Sequence, residues 1–336
     1  MKSYILIFPI LASFLVTLFF VPPWIRRAKN AGLVGKDVNK FKGEKIAEAG
    51  GVTVISGFVL GVLTYVAIST FILKRTDNFV EIFALMSSIL FISFIAFTDD
   101  ILGWRIGLRR RTRLVLVAFA SIPLIAINAG KSVVSVPFFG AVDLGIVYPL
   151  VLIPLGVVGA TTTLNFLAGF NGLEAGEGII LISAFAMVSY FTGNTWLSII
   201  ALCMIASLFA FLIYNLNPAQ VLGGDSLTYL VGGLVATMAI LGNFEKVAVF
   251  FFIPVIIEVV LKSRGKLLKQ SFGKPKKDGS LDLKYDKIYS LNHLAILLMK
   301  KYGTKPTEKK AVFLIWAFQI IIIILGFLIF KEGIFS

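Results

Sequence analysis

Two adjacent carboxylates, Asp99 and Asp100, follow an apolar run over residues 82–97 and precede a strongly basic stretch. That stretch contains Arg105, Arg109, Arg110, Arg111 and Arg113. Acidic side chains at the C-terminal end of a helix meet the unfavourable end of the helix dipole, so they require a compensating cation. Salt bridges to Arg105 or Arg109 would supply one, and so would a divalent metal ion with phosphates. We favour the metal and phosphates, because acids at a membrane boundary are usually functional.

Neutral amides and glycines dominate residues 165–176, which have the sequence NFLAGFNGLEAG. Asn165 and Asn171 are six residues apart, and the glycines around them permit tight turns. Amide side chains both donate and accept hydrogen bonds, which suits recognition of a base or an acyl amide. The pattern therefore predicts a binding loop without naming its ligand.

A glycine pair, Gly223 and Gly224, precedes Asp225 and Ser226 at the start of another apolar run. Either Asp225 or Ser226 is a good helix N-cap, which is the structural interpretation. Mg²⁺ prefers one or two protein oxygen ligands together with water and substrate phosphates, so Asp225 with an oxygen of Asn165 would suffice. Both interpretations of Asp225, as a helix N-cap and as a metal ligand, therefore stay open.

The first polar loop ends in Glu48, Ala49, Gly50 and Gly51, directly before an apolar run. Two glycines at the N-terminus of a helix leave backbone N–H groups accessible, which suits an anion. An ordinary flexible helix start is the alternative.

The elements that position these loops are membrane helices. Hydrophobic residues make up 58% of the 336 residues and charged residues only 15%. The apolar runs are long enough to cross about 30 Å of hydrocarbon, and helices satisfy their own backbone hydrogen bonds there. The sequence predicts an all-α polytopic membrane protein with a single integral membrane domain over residues 1–336. The ten predicted spans are 4–24, 51–73, 80–97, 113–129, 144–164, 177–192, 196–215, 226–242, 246–262 and 311–331.

The cations indicate the orientation of these spans. The loops 25–50, 98–112 and 263–310, with Lys262 and Arg113 at their edges, hold 26 of the 32 lysines and arginines. The positive-inside rule places these loops in the cytoplasm. Both termini are then outside, and residues 263–310 form a long cytoplasmic loop.

The rest of the chain offers few chemical groups. Residues 130–143 predict a small external hairpin. Cys203 lies within an apolar span and predicts a packing role, and His293 is the only histidine, which excludes a histidine-based metal cluster. The net charge of +14 belongs to one membrane face, so no nucleic acid partner is expected.

Three of these loops resemble the signature loops of a known family. Residues 97–105 (FTDDILGWR), 165–176 and 223–226 (GGDS) are similar to those of the polyprenyl-phosphate N-acetylhexosamine-1-phosphate transferases. The resemblance covers nearly the whole chain. The LEAG sequence at 173–176 and the first loop resemble the dolichyl-phosphate GlcNAc-1-phosphate transferase branch more than the bacterial MurNAc-pentapeptide enzyme.

The resemblance implies roles for individual residues. Asn165 and Asp225 match ligands of Mg²⁺, for which Mn²⁺ is a substitute. Asp99 and Asp100 match an essential acidic pair near the phosphates. Arg109 stands where the family usually has a phosphate-binding lysine, and arginine preserves the charge but not the geometry.

Further residues match substrate contacts. Asn171, with Gly172 beside it, matches a residue that contacts the uridine, and Glu48 matches an acid near the nucleotide. The family's His/Arg-rich segment in the last inner loop is not recognisable here. The candidates to replace it are Arg264, Lys266, Lys269 and Lys274.

The resemblance implies transfer of N-acetylglucosamine-1-phosphate from UDP-GlcNAc to a polyprenyl or dolichyl phosphate, with release of UMP, as the first step of lipid-linked glycan assembly. Membrane lipid is an expected partner, and so is a second copy in a homodimer. The expected location is the plasma membrane of a prokaryote or the endoplasmic reticulum of a eukaryote, with the active site facing the cytoplasm.

Two alternatives stay open. A phospho-MurNAc-pentapeptide transferase shares the same loops. A nucleotide-sugar or lipid transporter also has many spans, but it more often shows internal repeats and polar residues at mid-span. Here the acids lie at helix ends.

Overall fold

A computed structural model describes residues 2–136 and 140–335. The described chain is mostly helical, with a short 3₁₀ helix over Lys2–Leu6 and π-helical turns over Ser69–Leu73 and Tyr148–Leu152. The helices are α1 (Ile7–Asn30), α2 (Gly51–Ile68), α3 (Phe79–Ile106), α4 (Arg110–Phe119), α5 (Ile122–Ala126), α6 (Ile153–Leu167), α7 (Leu173–Phe191), α8 (Thr195–Asn215), α9 (Asp225–Gly242), α10 (Glu245–Phe251), α11 (Ile253–Arg264), α12 (Leu291–Lys301), α13 (Glu308–Ile329) and α14 (Lys331–Ile334).

Within the described residues, 8 helical stretches are long and apolar enough to cross a membrane. They are Tyr4–Asn30, Gly51–Leu73, Phe79–Gly103, Tyr148–Leu167, Leu173–Phe191, Thr195–Asn215, Asp225–Gly242 and Glu308–Ile329. The prediction of an all-α polytopic membrane protein is confirmed.

The other two predicted spans, 113–129 and 246–262, each contain two shorter helices. The first comprises α4 and α5, and the second comprises α10 and α11, which are separated at Phe252. Pro123 and Pro254 lie in the first turn of α5 and α11. Proline lacks an N–H donor and its ring collides with the preceding helical turn, so each apolar run is interrupted there.

Helix α9 lies at the centre of the bundle. In α9, 94% of the residues are buried, against 28% in the most apolar window of α13. It packs against α2, α3, α6, α7 and α10. Because α9 begins at Asp225, this central helix fixes the position of a predicted site residue.

Helices α1 and α2 approach each other closely through small residues. A Cβ atom at Gly61 would lie 1.7 Å from Ser13 Oγ, and one at Gly57 would lie 2.0 Å from Thr17 Oγ1. Small residues four apart allow membrane helices to make such contacts. This packing fixes α2, whose N-terminus begins at the first polar loop.

Three small antiparallel strand pairs lie between the helices. They are β1 (Val34–Lys36) with β2 (Lys45–Ala47), β3 (Val133–Val136) with β4 (Gly140–Asp143), and β5 (Lys274–Pro275) with β6 (Leu281–Asp282). The pair β3–β4 confirms the predicted hairpin, and its residues 137–139 lie outside the described part of the chain.

The loop at 263–310 packs into a hydrophobic core that it shares with the membrane helices. Leu281, Leu291 and Ile296 from the loop are buried together with Leu173 and Ile315 of the membrane helices. This shared core holds the loop against the ends of α7 and α13.

Candidate active site

A cleft of about 760 Å³ lies where the predicted polar loops meet. Seven predicted site residues line it: Glu48, Asp99, Asp100, Asn165, Asn171, Asp225 and Lys269. They come from five separate loops or helix ends. The fold therefore brings distant parts of the sequence around one space.

Backbone hydrogen bonds join the first loop to the fourth. The N–H of Gly50 donates to the carbonyl of Leu222 at 2.9 Å, and the N–H of Gly51 donates to Gly223 at 2.9 Å. The N–H of Leu222 in turn donates to Ala47 at 2.8 Å. The two glycine N–H groups are therefore already hydrogen-bonded within the protein. The interpretation in which they bind an anion is wrong.

Glu48 lies beside this junction. A Cβ atom at Gly35 would lie only 2.0 Å from Glu48 Oε1, so a larger residue there would force the carboxylate to move. Trp24 Nε1 donates to the Glu48 carbonyl at 3.0 Å. Burial, followed by the nearby charge of Asp225, raises the pKa of Glu48 above its ordinary value.

Asp100, in the C-terminal part of α3, caps the central helix α9. Its Oδ1 accepts from the N–H of Asp225 at 2.8 Å, and its Oδ2 accepts from the N–H of Ser226 at 3.0 Å. Both donors belong to the unpaired first turn of α9. Gly224 has a φ of 74°, and a Cβ atom there would lie 2.4 Å from Asp100 Oδ2.

The contact with Asp100 shows that Asp225 is not itself the N-cap of α9. The N-cap position of α9 is Gly224, and no side chain at that position makes a cap hydrogen bond. Asp100 supplies the capping oxygens instead. The Asp225 carboxylate is thus available for contacts inside the cleft.

Arg113 joins the acidic residues. Its Nη1 donates to Asp99 Oδ2 at 2.7 Å and to Asp225 Oδ2 at 2.7 Å. Asn165 Nδ2 donates to Asp225 Oδ1 at 2.8 Å, and the N–H of Leu108 donates to Asp99 Oδ1 at 2.6 Å. We call Asp99, Asp100, Asn165, Asp225 and Arg113 the acidic end of the cleft.

The donor set at the acidic end fits a hard divalent cation that shares its coordination with phosphates. Asp225 carries a carboxylate, and Asn165, whose Nδ2 donates to that carboxylate at 2.8 Å, carries an amide oxygen beside it. Mg²⁺ prefers such oxygen ligands, with water and phosphate completing its shell. Among the described residues, no group of three His, Cys, Asp or Glu is arranged to enclose a metal. The protein alone therefore offers a partial coordination shell.

A second polar group lies around Asn171. Asn171 Nδ2 donates to Asp37 Oδ2 at 2.9 Å, and its backbone N–H donates to Glu308 Oε1 at 2.8 Å. The N–H of Asn39 donates to Asp37 Oδ1 at 3.2 Å, and Asn39 Nδ2 donates to the carbonyl of Gly169 at 2.5 Å. We call these five residues the amide end of the cleft.

Glu308 connects the amide end to a membrane helix. It lies in the first turn of α13, is 4% exposed, and also accepts from Lys40 and Asn217. Glu308 and Asp37 are site residues that were not predicted from the sequence. Asp37 and Asn39 stand in the first loop, and the resemblance of that loop to the family was an available signal. Glu308 resembles any acid in the first turn of a helix, so it carried no such signal.

Five predicted site residues do not line the cleft. Arg109 precedes α4 and is exposed, as are Arg264 at the end of α11, Lys266 after it and Lys274 in β5. Gly172 has a φ of 84° and is the N-cap of α7. The cations that line the cleft are Lys36, Arg113, Lys262 and Lys269.

The alternative interpretation, an ion pair of the acids with Arg105 or Arg109, needs a correction. Arg113, rather than Arg109, pairs with Asp99, because α4 begins at Arg110 and directs its first turn at the acids. The side chain of Arg105 lies outside the described part of the chain.

His293 has a structural position. Its Nδ1 accepts from the N–H of Tyr289 at 3.4 Å, and its Nε2 lies 3.1 Å from the carbonyl of Phe272, to which the neutral ring donates. Burial lowers the pKa of His293, which favours that neutral ring. Because Phe272 lines the cleft, the histidine holds part of the cleft wall.

Comparisons with known proteins identify the family. Residues 82–243 match the family model described as Glycosyl transferase family 4. A protein of Saccharolobus solfataricus, provisionally named UDP-N-acetylglucosamine–dolichyl-phosphate N-acetylglucosaminephosphotransferase, is 35% identical over 331 residues, which is 97% of each chain. A Dictyostelium discoideum protein of that name is 32% identical, over 72% of this chain and 68% of its own.

A more distant branch also matches. A phospho-N-acetylmuramoyl-pentapeptide-transferase of Caldanaerobacter subterraneus is 32% identical over 251 residues, covering 70% of this chain and 75% of its own. The family prediction made from the signature loops is confirmed. This chain belongs to glycosyl transferase family 4, among the polyprenyl-phosphate N-acetylhexosamine-1-phosphate transferases.

Proposed function

We propose that this protein transfers N-acetylglucosamine-1-phosphate from UDP-N-acetylglucosamine to a polyprenyl phosphate of the dolichyl type and releases UMP. The names of the relatives that align over most of the chain support this donor and acceptor. The reaction is the first step of lipid-linked glycan assembly.

One observation carries the proposal: Arg113 Nη1 lies 2.7 Å from an oxygen of Asp99 and 2.7 Å from an oxygen of Asp225. Two carboxylates that share one cation at a helix N-terminus form a site of concentrated charge. Transfer of a phosphoryl group asks the protein mainly to align two oxygens and to offset negative charge. The acidic end would support both tasks once a divalent cation is bound to its carboxylates.

The reaction forms one bond and breaks one. An oxygen of the lipid phosphate attacks the β-phosphorus of the donor, and the bond from that phosphorus to the bridging oxygen of UMP breaks. The lipid phosphate is largely ionised near neutral pH, so a strong general base is dispensable. Asp100 positions the start of α9, and Arg113 offsets charge on the diphosphate.

We further propose that the enzyme depends on Mg²⁺, with Mn²⁺ as a substitute. Asp225 and Asn165 would hold the metal together with phosphate oxygens. When bound, the metal neutralises charge that develops on the leaving phosphate. The hydrogen bond of 2.8 Å between these two side chains supports their joint role, because it holds both at one point of the cleft.

The location of the cleft suits a lipid acceptor. The phosphate of such a lipid lies at the water boundary while its tail stays in hydrocarbon, and the acidic end lies at the ends of α3 and α9. We propose ten membrane crossings, both termini outside and the cleft facing the cytoplasm of a prokaryotic plasma membrane or, in a eukaryote, of the endoplasmic reticulum. Assembly as a homodimer is part of this proposal.

Purified protein in detergent tests the proposed function. With polyprenyl phosphate, UDP-GlcNAc and Mg²⁺, we expect release of UMP and formation of lipid-linked GlcNAc, and we expect EDTA to stop both. No UMP release with any polyprenyl phosphate would overturn the proposal. Preference for UDP-MurNAc-pentapeptide as donor would instead show that the protein is a phospho-MurNAc-pentapeptide transferase. A phosphorylated enzyme trapped with UDP-GlcNAc alone would refute direct attack.

A further inference from the structure

We propose that Asp37 is a positioning residue: it fixes the orientation of the Asn171 amide and thereby makes the cleft select uracil over cytosine. The inference rests on the proposed function, in which the donor is a nucleoside diphosphate sugar. It concerns the amide end of the cleft, and its test is separate from the transfer reaction.

The orientation of the amide follows from its neighbour. Asp37 is 4% exposed, and its Oδ2 lies 2.9 Å from Asn171 Nδ2. A carboxylate only accepts hydrogen bonds, whereas an amide has one donating and one accepting end. The donating end of Asn171 must therefore face Asp37, and its oxygen must face away.

The Asn171 backbone is fixed as well. Its N–H donates to Glu308 Oε1 at 2.8 Å, and Glu308 is itself buried. The side chain thus has a fixed starting point and one fixed partner. Rotation of the amide about its last bond is the remaining freedom, and Asp37 removes it.

The oxygen of Asn171 is the group presented to a ligand. Asn171 lines the cleft, and among the described residues no group donates to its Oδ1. Asn171 is 5% exposed, and its Oδ1 is absent from the fully buried polar atoms of the described chain that lack a partner, so part of the surface of that oxygen stays accessible. The cleft therefore presents one hydrogen-bond acceptor of fixed orientation.

The surroundings suit a base better than a phosphate. Asp37 and Glu308 are buried carboxylates, and Lys40 is paired with Glu308 and lies 3.9 Å from Asp37. Such acids disfavour a phosphate group. Phe166 and Phe272 line the same cleft, and the ring of Phe272 lies beside Gly169, where it offers apolar surface to a flat ring.

A fixed acceptor distinguishes the two pyrimidines. Uracil has a donating N3–H between two carbonyls, while the same ring nitrogen of cytosine carries no hydrogen and accepts. The Asn171 oxygen therefore attracts uracil and opposes cytosine at that point. A site that discriminates in this way uses repulsion of the wrong ligand as well as attraction of the right one.

Replacing Asp37 by asparagine should reverse this orientation. Asp37 Oδ1 accepts from the N–H of Asn39 at 3.2 Å, so the oxygen of the new amide would stay there and its NH₂ would face Asn171. Asn171 would then turn its oxygen toward the new NH₂ and its own NH₂ toward the cleft. The cleft would present a donor, which suits N3 of cytosine.

Binding of UMP and CMP to the purified protein, measured by calorimetry without acceptor lipid, tests the inference. We expect wild type to bind UMP at least about tenfold more tightly than CMP. Asp37→Asn should lose or reverse this preference, and Asp37→Ala should weaken it without reversal. The matched control Asp278→Asn removes an exposed carboxylate from the loop at 263–310 and should leave the preference unchanged.

A double variant separates orientation from general damage. Asp37→Asn combined with Asn171→Asp exchanges the carboxylate and the amide, so an acceptor again faces the cleft. We expect the preference for UMP to return in the double variant. Such a return is not expected if Asp37 merely stabilises the fold.

The outcomes are distinct. If Asp37→Asn and Asp37→Ala keep the wild-type ratio of UMP to CMP affinity, even with both affinities lowered, the inference is overturned. Equal binding of UMP and CMP by wild type overturns it too. Selective binding of UMP by a protein that transfers no sugar phosphate would contradict the proposed function and leave this inference standing.

Discussion

The two ends of the cleft use carboxylates in opposite ways. At the acidic end, Asp99 and Asp225 share a cation, Arg113, and contact the start of a helix. At the amide end, Asp37 and Glu308 accept from Asn171 and so orient a neutral group. The difference shows that a carboxylate can either concentrate charge for phosphates or fix the direction of an uncharged hydrogen-bonding group.

The largest effect should follow from removing charge at the acidic end. Asp225→Asn keeps the size of the side chain but removes its negative charge, so we expect UMP release to fall by at least about a hundredfold. Asp143→Asn alters an exposed carboxylate in β4 and serves as the control, with unchanged turnover. Full activity of Asp225→Asn would contradict any role for that charge.

A pair of arginine variants sharpens the assignment of the cation. Arg113→Ala leaves Asp99 and Asp225 without their shared partner, and we expect UMP release to fall by about tenfold to a hundredfold. Arg109→Ala, four residues earlier and exposed, should change the rate by less than about threefold. The reverse order of effects would restore Arg109 as the phosphate-binding residue.

Two glycines with similar φ angles test the cap of α9. Gly224 has a φ of 74° and its added Cβ would meet Asp100, whereas Gly193 has a φ of 81° with nothing within 4 Å. Both alanine variants carry backbone strain of about 1 kcal/mol or more. The strain is larger at Gly224, because a ψ of −178° with a positive φ is a region open essentially to glycine alone. We expect Gly224→Ala alone to displace Asp100, with a lower melting temperature than Gly193→Ala and loss of most UMP release. Equal melting temperatures and rates would show that the Asp100 contact is dispensable.

The smallest effect should come from a charge cluster outside both ends. Asp282 lies 3.0 Å from Lys276 Nζ and 2.6 Å from Lys300 Nζ, and these contacts lower its pKa. The lysine side chains are 53% and 45% exposed, so we expect Asp282→Asn to cost less than about 1 kcal/mol of stability.

The pH dependence of that cost has a definite sign. A lowered folded-state pKa stabilises the protein above the ordinary carboxyl pKa of about 3.9, and the stabilisation is lost as pH falls through the lowered value. The difference in melting temperature between wild type and Asp282→Asn should therefore shrink from pH 7 to pH 3. A difference that grows on acidification would contradict this assignment.

The membrane helices and the acidic end were predictable from sequence because their signals are local. Long apolar runs predict spans, and Asp99, Asp100 and Asp225 stand at the ends of such runs. Pro123 and Pro254 indicated the two helix breaks, but spans predicted from the length of the apolar runs do not take these prolines into account.

The amide end was less predictable because its contacts join distant parts of the chain. Asp37 meets Asn171, and Asn171 meets Glu308, across separations of 134 and 137 residues. No local pattern specifies such pairs. The capping of α9 by Asp100 was hidden for the same reason, since the capping oxygen comes from a residue 125 positions earlier.

Magnetic resonance of bound Mn²⁺ tests the central claim most directly, because it reports the ligands of the ion without requiring turnover. In the presence of UDP, we predict that wild type and Asp143→Asn bind Mn²⁺ with coupling to the phosphorus nuclei of the diphosphate. We predict that Asp225→Asn loses this signal. The same phosphorus-coupled Mn²⁺ signal in Asp225→Asn and wild type would contradict a metal and diphosphate site at the acidic end.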